Sequence, residues 1–352
     1  MEFNQIRARL QPHTIKIYDL ENCGFEVTSV PAIKLLDVSR FDLFAKLYYI
    51  EQKESGHVSD AEYVYFDHIK AFNPDLKEPG RDDKNSLGDF QTAFDKLINT
   101  FRCEEYDSKI SIIPVSENGI ILDGAHRVAA AAYFGKEVTI ARFRGVFPKC
   151  AFDYQYFMNR GLHWEVADII AYTMTRWVAG LHIACFWPRI GNEGKKRKGV
   201  LLLNSHYPFA YEKRVSVSLK SFYTIIGSIY SAQDWTKDIR SVESKALECY
   251  GRSKEIHCVL FKCEDLQQVL YDKNEIRRMY ECGNHSIHIS DSDSEASDIA
   301  NLFFIEDGIK EWKSDSIYTI REKIREKYLY FKGVSWLNFK IKIASYIRRT
   351  EK

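Results

Sequence analysis

The stretch KISIIPVSENGIILDGAHRVAAAAYFGKEVTIARFRG, residues 109–145, decides the fold of the N-terminal half. KISIIPV reads as a strand, ENG as a tight turn and IILDG as a second strand. AHRVAAAAYFG then reads as a short helix closed by Gly135, the residue type that ends helices in the left-handed conformation. KEVTIARFRG follows as another strand. Strand, turn, strand, polar loop, helix and strand in so short a span predict an α/β unit. The run Ala129–Ala132 keeps its helix slim enough to lie close on the sheet.

The junction Asp123-Gly124-Ala125-His126-Arg127 is built for anions. A helix start offers unpaired backbone N–H groups at the positive end of its dipole. Gly124 lets the backbone approach a ligand closely. Arg127 can grip phosphate oxygens with a bidentate fork. His126 can donate to phosphate or carry a proton, and Asp123 can bind a metal, orient His126 or receive a proton. The bland alternative is a strand-to-helix turn in which Arg127 makes a structural salt bridge.

This phrase, DGAHRVAAA at 123–131 with the strands around it, resembles the G-x-H-R-x-x-A turn of the ParB/sulfiredoxin superfamily. The resemblance implies a turn that binds nucleotide phosphates. Members include CTP-binding partition proteins, ATP-dependent sulfiredoxins and free serine kinases with a D-G-H-H-R turn. Sulfiredoxins need a Cys within the turn, where this chain has Ala125, and the leading Asp123 is closer to the kinases. In those kinases an acidic residue of the first strand-to-helix segment acts as base. The equivalent stretch here is VPAIKLLDVSRFDLFAKLYY, residues 30–49, with Asp42 as first choice and Glu51 or Asp37 as substitutes. Lys46 lies one turn after Asp42 and is a phosphate-binding candidate. The alternative for Asp42 and Lys46 is an i,i+4 pair on a helix surface.

The chain is also similar to uncharacterised proteins of bacterial surface-polysaccharide gene clusters. The matching pieces are Arg40 to Tyr48, Asp67-His68-Ile69 and Asp123 to Arg127, which together span most of 35–145. That similarity implies a sugar or polyol acceptor.

Upstream of the motif, HTIKIYDL (13–20) and FEVTSVP (25–31) read as strands. SRFDLFAKLYYIEQKESG (39–56), AEYVYFDHIKAF (61–72) and DFQTAFDKLINTFR (89–102) carry helical apolar spacing. Ser39 reads as the N-cap of the first of these, with Asp42 three residues on. Asp67-His68 reads as a solvent-facing polar pair or as a further part of the site. NPDLKEPGRDDKNSLGD (73–89) reads as a loop.

Downstream, residues 161–180 predict a long helix. LHIACFWPRI (181–190) and GVLLLNSHYPF (199–209) predict strands flanking the loop GNEGKKRKG. Strand-then-helix pairs follow at 212–231 and 255–283. NHSIHIS (284–290) predicts a short strand and a helix through Ile305. Lys273, Arg277, His285, His288, Asp291 and Glu295 concentrate polarity there, and NHSIHISDSDSE is similar to a segment of the same polysaccharide-cluster proteins. A strand would put His285 and His288 on opposite faces, which argues against a shared metal ion. The plainer reading is a Ser292/Glu295 capping box. Lys213 is either a reach to an anionic ligand or a surface strand lysine. SDSDSE lacks the Gly and the later Glu of a calcium loop. KKRK at 195–198 reads as a solvated hairpin rather than a nucleic-acid patch. The tail YLYFKGVSWLNFKIKIASYIRR (328–349) reads as a docking helix, with peripheral membrane contact as the alternative.

Composition bounds these readings. With 352 residues, two domains are expected, and 45% apolar residues exclude disorder over most of the chain. Lys and Arg (50) almost cancel Asp and Glu (49), so no nucleic-acid partner is expected. The eight Cys form no CxxC pair and read as reduced core residues of a cytosolic protein. The N-terminus has charges but no apolar run behind them, so no secretory signal is expected, and no run reaches the ~18 apolar residues of a spanning helix.

The expectation is an α/β (α+β) protein of three parts. Residues 1–150 form a ParB/sulfiredoxin-like nucleotide-binding catalytic domain, 151–314 a mixed α/β domain, and 315–352 a basic, aromatic helical tail. The expected activity is ATP-dependent phosphorylation of a hydroxyl on a small molecule or glycan. ATP (or ADP) and Mg²⁺ would be the cofactors. Catalytic candidates are Asp42, Asp123 and His126; Gly124, Ala125, Arg127 and Lys46 would hold phosphates, and Asp123 the metal. Asp67, His68, Lys213, Lys273, Arg277, His285, His288 and Asp291 are candidates for a secondary site. The rivals are a partition-type nucleotide-dependent DNA-binding protein, which needs a helix-turn-helix domain, and a ParB-like nuclease, which needs a carboxylate cluster.

Overall fold

The computed structural model describes residues 2–77, 84–103, 110–190, 193–251, 253–280 and 282–305. The fold is mixed α/β, and the chain divides into two compact units between Val178 and Ala179. That is later than the boundary expected near residue 150. The tail from Asp315 lies outside the described residues.

The first unit begins with two short helices, α1 (Asn4–Arg7) and α2 (Pro12–Tyr18). HTIKIYDL is therefore helical, not the strand its alternation suggests. Pro12 supplies a pre-set φ at the first helical turn, and the buried Ile15 joins Ile6, Leu10 and Leu20 in one cluster. Strand β1 (Phe25–Pro31) leads to α3 (Phe41–Glu54), α4 (Val58–Phe72) and α5 (Leu87–Cys103). Then come β2 (Ile113–Val115), α6 (Ala125–Tyr133) and β3 (Glu137–Phe143). Ser39 is not the cap of α3. Its amide and hydroxyl both donate to Asp37, and Arg40 holds the cap position.

The sheet has the order β1-β3-β2, with β1 antiparallel and β2 parallel to β3. A parallel pair needs a crossover, and α6 is that crossover. IILDG contributes only an isolated bridge, Ile121 to Val115, instead of a second strand. The buried Val128 and Ala129–Ala132 let α6 close on α3, α5 and β3. Two more helices complete the unit, α7 (Tyr154–Met158) and α8 (Trp164–Trp177). α8 buries Val166, Ile170 and Met174 and packs on α3, which is why the boundary falls after it.

The second unit contains β4 (Leu181–Phe186), α9 (Glu193–His206), β5 (Phe209–Ser216), α10 (Leu219–Ile229) and α11 (Ile239–Cys249). β6 (Glu255–Lys262), α12 (Leu266–Tyr280), β7 (Ile287–Ile289) and α13 (Asp293–Phe304) follow. Its antiparallel sheet has the order β5-β6-β4-β7. All of β4 and the middle of β6 are buried on both faces, so alternation disappears from their sequence. One face packs Phe186, Val259, Phe261 and Ile287 against Leu203, Val269 and Ile276 of α9 and α12. α13 covers the other face against β4, with α10 beside it.

GVLLLNSHYPF is not a strand, and KKRK is not a hairpin loop: both lie largely in α9. The buried stripe of α9 is Lys196, Gly199 and Leu203, a helical spacing whose first two members are not apolar. Lys196 is 1% exposed and paired with Glu193 and Glu255. Gly199 touches Tyr280, whose Oη accepts from Gly199 N at 3.0 Å and donates to Lys196 O at 2.9 Å. A Cβ there would fall 2.0 Å from that oxygen.

All eight cysteines are free. Cys185, Cys249 and Cys258 are buried, but Cys103 and Cys150 are exposed, so the core expectation holds only for part of the set. Among the described residues, no helix is long and apolar enough to cross a membrane.

Candidate functional site

The site is the junction between Ile121 and α6. Gly124 caps the helix with φ +89°, a conformation that side chains rarely adopt. A Cβ at Gly124 would also lie 2.8 Å from Arg127 Nη2 and from Ile113 Cδ1. The positive φ is what favours glycine, since Arg127 and Ile113 meet the site with the ends of flexible side chains. Among the described residues no side chain caps α6, and its first backbone bond runs from Val128 N to Gly124 O. Ala125 is half-buried at the first helical position, and the amides of that turn have no acceptor within the helix.

Arg127 folds back across the turn. Its Nη2 donates to Asp123 Oδ2 at 3.1 Å and its Nη1 to Ser111 Oγ. The salt bridge of the plainer reading is thus present, between two half-buried side chains. His126 Nε2 lies 2.9 Å from Tyr65 Oη, and its ring meets Phe94 edge-on at 4.6 Å. Burial, then the charges of Lys46 and Lys84, push the imidazole well below its usual range. His126 is neutral at pH 7.

Beneath the turn lies a buried ion cluster. Arg40 grips Asp42 with two bonds, Nε to Oδ1 at 2.8 Å and Nη2 to Oδ2 at 2.9 Å. Lys46 Nζ adds 3.2 Å to Oδ2, and Arg40 Nη1 donates to Ile121 O. Arg40, Asp42 and Lys46 are 5%, 1% and 3% exposed. The Asp42–Lys46 pair is therefore the expected i,i+4 pair, but in the interior and not on the surface. Burial pushes the Asp42 carboxyl up, yet Arg40 and Lys46 outweigh it and hold it well below the carboxylate range.

This corrects two expectations. Asp42 has both oxygens occupied and a depressed pKa, so it is a counter-ion and not a free base in this arrangement. Lys46 is bound to that counter-ion and not open to phosphate. The substitutes are engaged as well: Asp37 accepts from Ser39, and Glu51 pairs with Arg176 and accepts from Trp177 Nε1.

Asp67 and His68 do not form a solvent-facing pair. Asp67 accepts from His163 N at 2.9 Å and meets His163 Nδ1 at 2.8 Å, holding the start of α8. His68 points inward with no exposure, between Phe72 and Phe157. Among the described residues, neither ring nitrogen has a partner. Burial, then Lys46, lowers its pKa well below the ordinary value. The structure therefore brings Asp42, Lys46, His68, Asp123, His126 and Arg127 into one region of the first unit. Arg40, Tyr65 and Lys84 join them and were not singled out from sequence. Only Arg40 carried a signal, as the first residue of the Arg40-Phe41-Asp42 phrase.

The secondary candidates lie in the second unit. Lys213 Nζ donates to Phe303 O at 3.1 Å, closing the end of α13 rather than reaching a ligand. Lys273 Nζ donates to Ile289 O and Asp291 Oδ1. His288 Nε2 lies 3.0 Å from Glu295 Oε1. Ser292 caps α13 by accepting from Glu295 N, while Glu295 accepts from Asp291 N, so the capping box forms one residue out of register. His285 sits in the 3₁₀ turn Gly283–His285 and not in a strand, so alternation does not govern the two histidines. Among the described residues, no group of three or more His, Cys, Asp or Glu could hold a metal ion.

Against known proteins, no family model, no curated protein and no solved structure matches this chain.

Proposed function

We propose that the first unit is the nucleotide-binding, catalytic part of an ATP-dependent kinase acting on a hydroxyl, with a ParB/sulfiredoxin-like phosphate turn. The observation that carries this reading is the uncapped start of α6 on a left-handed glycine, where a Cβ would collide with the guanidinium of Arg127. Free amides, close backbone approach and a guanidinium at one helix start suit a phosphate group. Arg127 is the cation of this turn that faces a phosphate, and Arg40 behind it adds positive charge.

Arg127 exchanges its bond to Asp123 for phosphate oxygens and holds the nucleotide on the amides of the turn. Asp123 then becomes available. It is the half-buried carboxylate of the junction, and with the phosphate oxygens it is a fitting partner for Mg²⁺, which binds through one or two carboxylates and substrate phosphates. When bound, that ion neutralises charge on the transferring group. The missing three-ligand cluster is no obstacle to such a site. His126 stays neutral and donates or accepts a hydrogen bond without adding charge. Asp42 positions Arg40, which in turn holds the Ile121 carbonyl ahead of the turn. The loose transition state of phosphoryl transfer makes positioning and charge the main needs, so a small constellation suffices. The acceptor class follows from the resemblance: a sugar or polyol hydroxyl.

Thermal shift of the full chain with ATP, ADP, CTP and GTP plus Mg²⁺ tests the reading. ATP at a hundred times its Kd is expected to add about 2.7 kcal/mol, and Arg127→Ala to abolish that gain. A response to CTP alone favours the partition-protein reading. No response to any nucleotide removes the phosphate turn from consideration. A positive result is followed by ADP release with sugar and polyol acceptors.

A further inference from the structure

In the second unit, the 3₁₀ turn Pro188–Ile190, α11, α12 and the 3₁₀ turn Gly283–His285 meet beside β7, the edge strand of the sheet. Each brings a half-buried polar side chain: Arg189, Lys245 with Glu248, Arg277 and His285. Lys245 Nζ lies 3.4 Å from His285 Nδ1, and Glu248 Oε2 lies 3.3 Å from His285 Nε2. Lys245 Nζ also sits 5.8 Å over the ring of Tyr230, which in turn packs edge-on to His288 at 5.1 Å.

Charge at this place is unbalanced. Burial first, then Lys245, Arg189 and Arg277, drop the His285 imidazole to about 4, so three cations act on one neutral ring. Among the described residues, Glu248 bonds to the neutral His285 and keeps its charge, so it offsets one of the three cations, while Glu295 meets His288 and Asp291 pairs with Lys273. Arg277 is the unusual member. Among the described residues its guanidinium has no hydrogen bond or ion pair, and its Nε is buried without a partner. A half-buried guanidinium left unpaired is costly, and proteins pair such groups or present them to a ligand. Tyr230 Oη likewise makes no hydrogen bond among the described residues, and burial keeps it protonated and a donor.

We propose that this cluster is an oxyanion site of the second unit, which takes the phosphate or carboxylate group of a small ligand on Arg277, with Lys245 and Tyr230 as further donors. Guanidinium, ammonium and phenol each supply N–H or O–H donors, where a cation site needs oxygen acceptors, and Lys245 would turn from the Asn284 carbonyl, to which it donates at 2.8 Å, toward the ligand. Arg277 matches two oxygens of either group in its planar fork. The inference stands apart from the phosphate turn of the first unit, and its failure leaves that reading untouched.

Calorimetric titration of the full chain carrying Arg127→Ala isolates the site from the first unit. The probes are inorganic phosphate and acetate, and a response to one alone identifies the group the site prefers. Adding Arg277→Gln is expected to weaken that binding at least tenfold. It is also expected to leave the thermal midpoint of the ligand-free protein unchanged or raised, because an unpaired buried charge is relieved. Tyr230→Phe, which keeps the ring, is expected to weaken binding a few-fold without loss of fold. No binding of either probe to the Arg127→Ala chain overturns the proposal, as does binding that Arg277→Gln and Tyr230→Phe both leave intact. If Arg277→Gln fails to fold, the Tyr230→Phe titration decides alone.

Discussion

At the scale of single residues, Asp42 is the hinge of the first unit. Removing one partner of a buried ion pair strands the other, at a cost of about 3–5 kcal/mol. Asp42→Asn is therefore expected to lower stability by that amount in urea unfolding, since it leaves Arg40 and Lys46 without their counter-charge. A loss below about 1 kcal/mol would show that the triad is solvated. His68 and His126 make an opposite demand. Both have depressed pKa values, so the native state holds them neutral while the unfolded chain takes up protons below about 6.5. The unfolded state then binds more protons, and stability falls as pH drops. Each group contributes a slope of up to about 1.4 kcal/mol per pH unit below about pH 6. His68→Leu removes one such group together with two unpartnered nitrogens. It is expected to flatten the acid limb of the stability curve and to cost little or nothing at pH 7. An unchanged slope would mean that His68 already titrates normally in the native state.

At the scale of elements, α9 and α12 depend on the Gly199–Tyr280 contact. Gly199→Ala is expected to destabilise by about 2 kcal/mol, because overpacking at a closed contact forces both helices apart. Tyr280→Phe removes the closest obstructing atom, leaving ring Cζ at 2.8 Å from a Cβ at 199, and also removes two hydrogen bonds. The double variant should be more stable than the sum of the single losses predicts, which a double-mutant cycle in urea measures. This contact also explains what the sequence conceals. The strand–turn–helix–strand unit around Asp123 is legible because its punctuation is local: Gly119, Gly124 and Gly135 all have positive φ. α9 is not legible, because Lys196 and Gly199 stand where an apolar stripe is sought. α2 is short, and seven residues fit either period. The site is legible only in its turn. The burial of Arg40–Asp42–Lys46 arises where α3 meets the segment before α6, contacts far apart in sequence. From sequence alone the Asp42–Lys46 spacing is indistinguishable from a surface pair.

At the scale of the whole molecule, the first unit closes its own core. Its sheet, α6 and α8 are all complete by Val178. Residues 1–178 expressed alone are expected to unfold cooperatively in urea, followed by circular dichroism, and to keep the nucleotide-dependent shift of the full chain. A non-cooperative transition would show that the unit needs the rest of the chain to fold. The same fragment cut at residue 150 lacks α7 and α8 and leaves the α3 surface bare, and it is expected to aggregate.

Among the described residues, the sheet of the second unit, order β5-β6-β4-β7, is open at both ends, and open strands invite pairing between molecules. β7 offers only three residues to a second chain. β5 is longer, but Glu212, Lys213 and Arg214 lie in its middle, and Lys213 is tied to the end of α13. A second copy docking there would have to desolvate charge and break that tie. β5 therefore carries its own defence against fibril growth, and neutralising Lys213 and Arg214 would remove it.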